Sequence, residues 1–96
     1  MFEPHYVHET KILQSVASDP ACRWKFTKHA LKKMEKNGWS APDIQNGVMN
    51  GQVTLQEDAK QDRLWRVRGR DLDGRRIQIV VAVDEMEVTI KVVTAF

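Results

Sequence analysis

"RLWRVRGRDLDGRR", residues 63–76, sets six arginines within fourteen positions, and the way it is read decides the fold. Side chains on a strand alternate between two faces. Trp65, Val67 and Gly69 therefore fall on one side, and Leu64, Arg66, Arg68 and Arg70 on the other. In the next stretch Ile77, Ile79, Val81 and Val83 share a face opposite Arg76, Gln78, Val80 and Ala82. Hairpin register decides whether the two apolar sets coincide, because a slip of one residue exchanges the faces. A two-residue loop at Asp73-Gly74 sets Arg68 opposite Ile79 and Arg66 opposite Val81, mixing charge into the core. A three-residue loop, Leu72-Asp73-Gly74, pairs Asp71 with Arg75 and places Trp65 and Val67 beside Val81 and Ile79. It also ends on glycine, where this loop type needs a left-handed backbone.

The three-residue loop is therefore expected. One sheet face becomes apolar, and the other collects Arg66, Arg68, Arg70, Arg76 and Gln78. Lys91 joins them if the last hairpin closes tightly. Neighbouring like charges repel, so such a cluster calls for an anion or an acidic partner. The plainer alternative is a solvated outer face, which is ordinary for an antiparallel sheet.

Upstream of the arginine stretch the period is helical. Tyr6, Ile12, Leu13 and Val16 predict a helix from about Pro4 to Ala17, ended by Ser18-Asp19-Pro20. Cys22, Trp24 and Phe26 alternate with Arg23, Lys25 and Thr27 as in a short half-buried strand. Thr27 serves as N-cap of a helix over Lys28–Asn37, closed by Gly38, with Ala30, Leu31 and Met34 as its apolar face. Ser40-Ala41-Pro42-Asp43 reads as a capping box opening a third helix that stops at Gly51. Strands are expected over Val53–Glu57, Arg63–Asp71, Arg75–Asp84 and Val88–Ala95, with a polar turn at Glu57–Asp62. The expected class is α+β: two to three N-terminal helices on one face of a four- to five-stranded, mainly antiparallel sheet.

The 96 residues suit a single domain, and 42% hydrophobic with 29% charged residues is ordinary for a soluble protein. No apolar run approaches the roughly 20 residues of a membrane span. The opening residues lack the basic start and apolar stretch of a signal peptide, so a cytoplasmic location is expected. One cysteine, Cys22, leaves no internal disulfide framework. A net charge of +2 is mild, but it is clustered, with lysines between Lys25 and Lys36 and arginines between Arg63 and Arg76.

On the second helix His29, Lys32, Lys33 and Lys36 share one face by their spacing. His29, in the first turn beside these lysines, is a candidate general base; the alternative is a histidine that packs against the sheet edge or bonds a backbone carbonyl. His5 and His8 stand three apart, but no further ligand completes a metal set. No phosphate loop, nucleophile elbow or carboxylate pair is present. Any chemistry falls to His, Lys, Arg and Thr, with no metal or cofactor expected.

"KFTKHALKKMEKNGWSAPDIQNGVMNG" (residues 25–51), followed by strands and the ending "IKVVTAF" (residues 90–96), resembles the small bacterial domains grouped as domain of unknown function 4258. The arrangement is also similar to the MqsR type of mRNA-interferase toxin, and both resemble the RelE-like ribonuclease fold. The resemblance implies helices on one face of a twisted sheet and RNA on the other, cleaved without metal by cationic and polar side chains. It assigns His29 and the near-terminal Thr94 to family positions. Arg66 falls near a catalytic glutamine of the MqsR type and Gln78 at its tyrosine, whereas its C-terminal lysine has no match here. The simplest register of the last hairpin, however, turns Thr94 toward the core.

The expected function is a metal-independent endoribonuclease, the toxin of a toxin–antitoxin pair, with mRNA as substrate and a cognate antitoxin as partner. His29, Arg66, Arg68 and Thr94 are the expected catalytic residues. Lys25, Lys32, Lys33, Arg70, Arg76, Gln78 and Lys91 are expected to bind RNA. The alternatives are a non-catalytic RNA- or protein-binding module of the same fold and a pure protein–protein adaptor.

Overall fold

The computed structural model describes residues 6–59 and 62–96. Three helices, α1 (Val7–Ser18), α2 (Lys28–Asn37) and α3 (Ala41–Met49), accompany five strands, β1 (Arg23–Phe26), β2 (Gln52–Ala59), β3 (Asp62–Arg70), β4 (Arg76–Asp84) and β5 (Thr89–Ala95). The sheet runs β1-β5-β4-β3-β2. β2 to β5 form an antiparallel meander, and β1 adds to β5 in parallel. The expected α+β class therefore holds, with a mixed sheet and all three helices on one side. No described helix is long and apolar enough to cross a membrane.

The caps lie where their residue types predict. Thr27 Oγ1 accepts from the Ala30 amide at 3.0 Å, and Gly38 ends α2 in the left-handed conformation at φ 72°. Ser40 and Asp43 cap each other's backbone at the start of α3. The expected first residues of α1, Pro4 among them, and His5 lie outside the described residues. The polar turn is shorter than expected, since β2 continues to Ala59 and β3 begins at Asp62. Once register is set, backbone pairing continues through polar residues. The tip of that turn, residues 60–61, also lies outside the described residues.

The β3–β4 register is the one that the three-residue loop requires. Trp65 pairs with Val81 and Val67 with Ile79, while Gly74 adopts φ 81°. The helix-side face of the sheet then meets Leu13, Ile44 and Val48 in a core where Val67, Ile79, Val81, Ile90 and Val92 are fully buried.

Two bulges depart from simple alternation. β2 shifts register between Val53 and Leu55, which carries Leu55 to the open face at 38% exposure. β5 shifts at Val93, so that Val81 pairs with Val92 but Val80 with Thr94. Thr94 therefore stands on the open face, which corrects the inward placement that a regular strand gives. Leu31 is also corrected: it is 50% exposed, and Ala30 and Met34 alone seat α2 in the core.

α3 crosses β3 without side chains between them. A methyl group built on Gly69 would fall on the Gly47 carbonyl and within 2.9 Å of Asn50 Oδ1. β3 outruns β2 here, because Gln52 pairs with Arg68 and no β2 residue faces Arg70. The Arg70 amide donates instead to Asn50 Oδ1 (3.0 Å), and the Arg70 carbonyl accepts from Asn46 Nδ2 (3.0 Å) and Asn50 Nδ2 (3.2 Å).

A pair of glycine substitutions separates these two roles. Gly69→Ala must push α3 off the sheet and is expected to cost about 3 kcal/mol or more, as overpacking at a rigid contact does. Gly74→Ala meets open space but keeps the positive φ, so it is expected to cost only about 1 kcal/mol. Chemical unfolding of the two variants gives both values directly.

Candidate functional site

Pairing across the sheet sorts the open face into rows. Leu55, Arg66, Val80 and Thr94 form one; Gln52, Arg68, Gln78 and Phe96 form the next; Arg70 and Arg76 form a third. On the far side Lys91 pairs with Ala82 and with Lys25 of β1. A groove of about 640 Å³ runs over the second and third rows, lined by Asn50, Gln52, Arg68, Gly69, Arg70, Arg76, Ile77, Gln78 and Phe96.

The guanidinium groups around this groove are held very unequally. Arg70 Nη1 donates to the Gly74 carbonyl at 3.0 Å. Arg66 lies 3.8 Å from Glu57 and sits over the Phe96 ring, 5.1 Å from its centroid. The Arg68 and Arg76 guanidinium groups make no hydrogen bond or ion pair with any described residue. Below them, Arg66 Nε and Thr94 Oγ1 are buried without a hydrogen-bond partner among the described residues. An unpaired buried polar group costs about 1–3 kcal/mol, and such costs concentrate where a ligand can relieve them.

The turn that carries the arginines is braced by two carboxylates. Asp71 is buried (2% exposed) and accepts from the amides of Asp73 (3.0 Å) and Arg75 (2.8 Å) and from Arg75 Nε (3.2 Å). Burial pushes its carboxyl up. The Arg75 amide and charge, the Asp73 amide and the Trp39 side chain outweigh that and hold it below its ordinary value. Asp43 is also held low, by the amides of Ser40 and Leu72, so the α3 cap grips the hairpin loop as well. Arg75 therefore closes the turn and takes no part in the groove.

The structure gathers Arg66, Arg68, Arg70, Arg76, Gln78, Thr94, Lys91 and Lys25 on one face. His29, Lys32 and Lys33 stand apart on α2, which packs on β5 through Ala30 and Met34, and no α2 residue lines the groove. His29 is exposed. Cys22 is half-buried, its thiol pushed up by burial and by Asp19 against a hydrogen bond from Ile90. Sequence reasoning missed Phe96, Gln52, Asn50 and Glu57. Phe96 depends on the Val93 bulge and Asn50 on a helix end meeting a strand end, and neither leaves a local signal. Gln52 and Glu57 follow from strand parity once the β2 bulge is known.

The family model described as a domain of unknown function (DUF4258) matches residues 26–96. No curated protein and no solved structure matches the chain.

Carboxylates held low stabilise the fold above their unfolded pKa, near 3.8, and that contribution is lost as pH falls through the lower folded value. Unfolding free energy is therefore expected to be flat from pH 7 to about 5 and to fall steeply below about 4. Asp71→Asn is expected to lower stability at pH 7 and to make that acid limb shallower, as denaturant titrations across pH will read.

Proposed function

The chain belongs to the family described as domain of unknown function DUF4258, and on that premise we propose that it is a metal-independent endoribonuclease, the toxin of a toxin–antitoxin pair. The observation that carries this reading is the groove in which Arg68, Arg70 and Arg76 converge beside Phe96, two of the three guanidinium groups without a partner among the described residues. Phosphates bind such cations as charge-assisted, often two-pronged contacts. An exposed aromatic ring beside them suits an unpaired base, which a duplex does not offer.

In this reading the 2′-hydroxyl attacks the adjacent phosphorus. The O2′–P bond forms, the P–O5′ bond breaks, the leaving 5′-oxygen takes a proton from water, and a 2′,3′-cyclic phosphate and a 5′-hydroxyl end result. Arg66 and Arg68 stabilise the negative charge that develops on the phosphoryl oxygens, where fixed cations lower a barrier most. Glu57, on the open face beside Arg66, takes the 2′-hydroxyl proton in place of His29, which stands apart on α2. An acidic antitoxin segment laid over the same face supplies countercharge and blocks RNA.

Affinity for a fluorescent single-stranded RNA is expected to fall steeply with salt. Each groove arginine changed to alanine should reduce the log–log slope by about 0.7, the value for one phosphate contact on a single strand. In chelator the oligomer is expected to be cut to cyclic-phosphate ends, and Arg66→Ala should slow cleavage by about 100-fold or more. Salt-sensitive binding without cleavage assigns the chain as a non-catalytic RNA-binding module. Absence of binding at low salt overturns the RNA reading in favour of a protein partner.

A further inference from the structure

We propose that the row Gln52, Arg68, Gln78 and Phe96 is a base-reading subsite that prefers guanine; the proposal rests on the RNA reading above and names its specificity. These four residues are consecutive across β2, β3, β4 and the position just after β5, and all four line the groove.

Phe96 is fixed as a platform. Its amide and carbonyl each bond Gln78 at 2.8 Å, the Arg66 guanidinium sits over its ring, and the residue stays 47% exposed. Arg68 lies in the same row, its guanidinium without a hydrogen bond or ion pair to any described residue, flanked in register by one carboxamide on each side. The next row holds Arg70 and Arg76, about 7 Å further along the strands, or two residues of rise. That distance suits one nucleotide, its phosphate at Arg70 and Arg76 and its base on the Phe96 row.

A free guanidinium presents parallel donors. Guanine offers two adjacent acceptors, O6 and N7, on its major-groove edge. Adenine sets an amino donor beside N7 and uracil has no adjacent acceptor pair; unpaired cytosine offers N3 and O2, but its single ring covers less of Phe96 than a purine does. The carboxamides of Gln52 and Gln78 supply donors and acceptors for the remaining edge.

The test uses four 2′-O-methyl hexamers, which cannot be cleaved, identical except for one central base, titrated by fluorescence anisotropy. The guanine hexamer is expected to bind about tenfold tighter than the others, within the range of one bidentate base contact. Arg68→Lys keeps the charge and loses the fork, so overall affinity and salt slope should persist while the preference falls below about threefold. Phe96→Ala is expected to weaken all four hexamers by about tenfold, the loss of one stacked base. Thermal melts by circular dichroism verify that both variants fold. Equal affinity for the four hexamers, or a preference that survives Arg68→Lys, overturns the base assignment and leaves the RNA reading standing. Failure of all four to bind at low salt overturns both.

Discussion

The contact between Gly47 and Gly69 is the constraint on which the rest of this structure depends. With no side chain on either residue, the backbone of α3 lies directly on β3, close enough for Asn46 and Asn50 to bond the Arg70 main chain. These amides do for the end of β3 what a longer β2 would have done, because a strand end without partners leaves donors and acceptors unsatisfied. Asp43 then ties the other end of α3 to the Leu72 amide in the loop. One short helix thus holds both the last residue of β3 and the turn after it. α3 itself supports the main chain under the groove, Asn50 at its C-terminal end also lines it, and the arginine side chains stay on the far side of the sheet.

Such support matters because the open face works against the fold. Arg70 and Arg76 are direct cross-strand partners, and opposed like charges cost a few tenths of a kcal/mol to about 1 kcal/mol. The exposed Arg66–Glu57 pair returns little, since surface ion pairs are worth about 0–1 kcal/mol. Stability comes from the other face, where Val67, Ile79 and Val81 are fully buried, each worth about 1.5–3 kcal/mol. The sheet is therefore a two-sided compromise, with one face stabilising it and the other concentrating positive charge that an anion would neutralise.

The half of the architecture governed by local rules was legible in the residues. Thr27, Gly38 and Ser40 with Asp43 mark helix ends by capping chemistry. Gly74 selects one loop length, and that length aligns two apolar alternations at once. Position on the open face was legible for Arg66, Arg68, Arg70, Arg76 and Gln78, because they lie between the turn and the first irregularity. It failed for Thr94, beyond a bulge, and simple alternation from Val53 misplaces Leu55 in the same way. A bulge adds one residue to one strand and reverses the parity of everything after it, and an apolar run such as Val92-Val93 reads the same with or without one. His29 illustrates a different limit. Residue type and helix position made it a plausible base, but neither says which layer of the fold its helix occupies.

The Val93 bulge is also where the helical half of the chain reaches the candidate site. Regular pairing beyond Val92 would have set Val93 and Ala95 on the open face and turned Thr94 and Phe96 inward. In the structure Ala95 is fully buried opposite Ile79, and the Phe96 ring lies under the Arg66 guanidinium. The main-chain partner of the bulge is Thr27. Its amide donates to the Val92 carbonyl at 3.1 Å and its hydroxyl to the Val93 carbonyl at 2.7 Å, while the same oxygen caps α2 through the Ala30 amide. A hydroxyl that both donates and accepts is needed to do this, so serine or threonine is the natural occupant and valine, of the same shape, is not. The threonine before Lys28-His29 therefore acts at a distance. By holding the bulge, it sets the parity that brings Thr94 into the row of Arg66 and Phe96 under the Arg66 guanidinium.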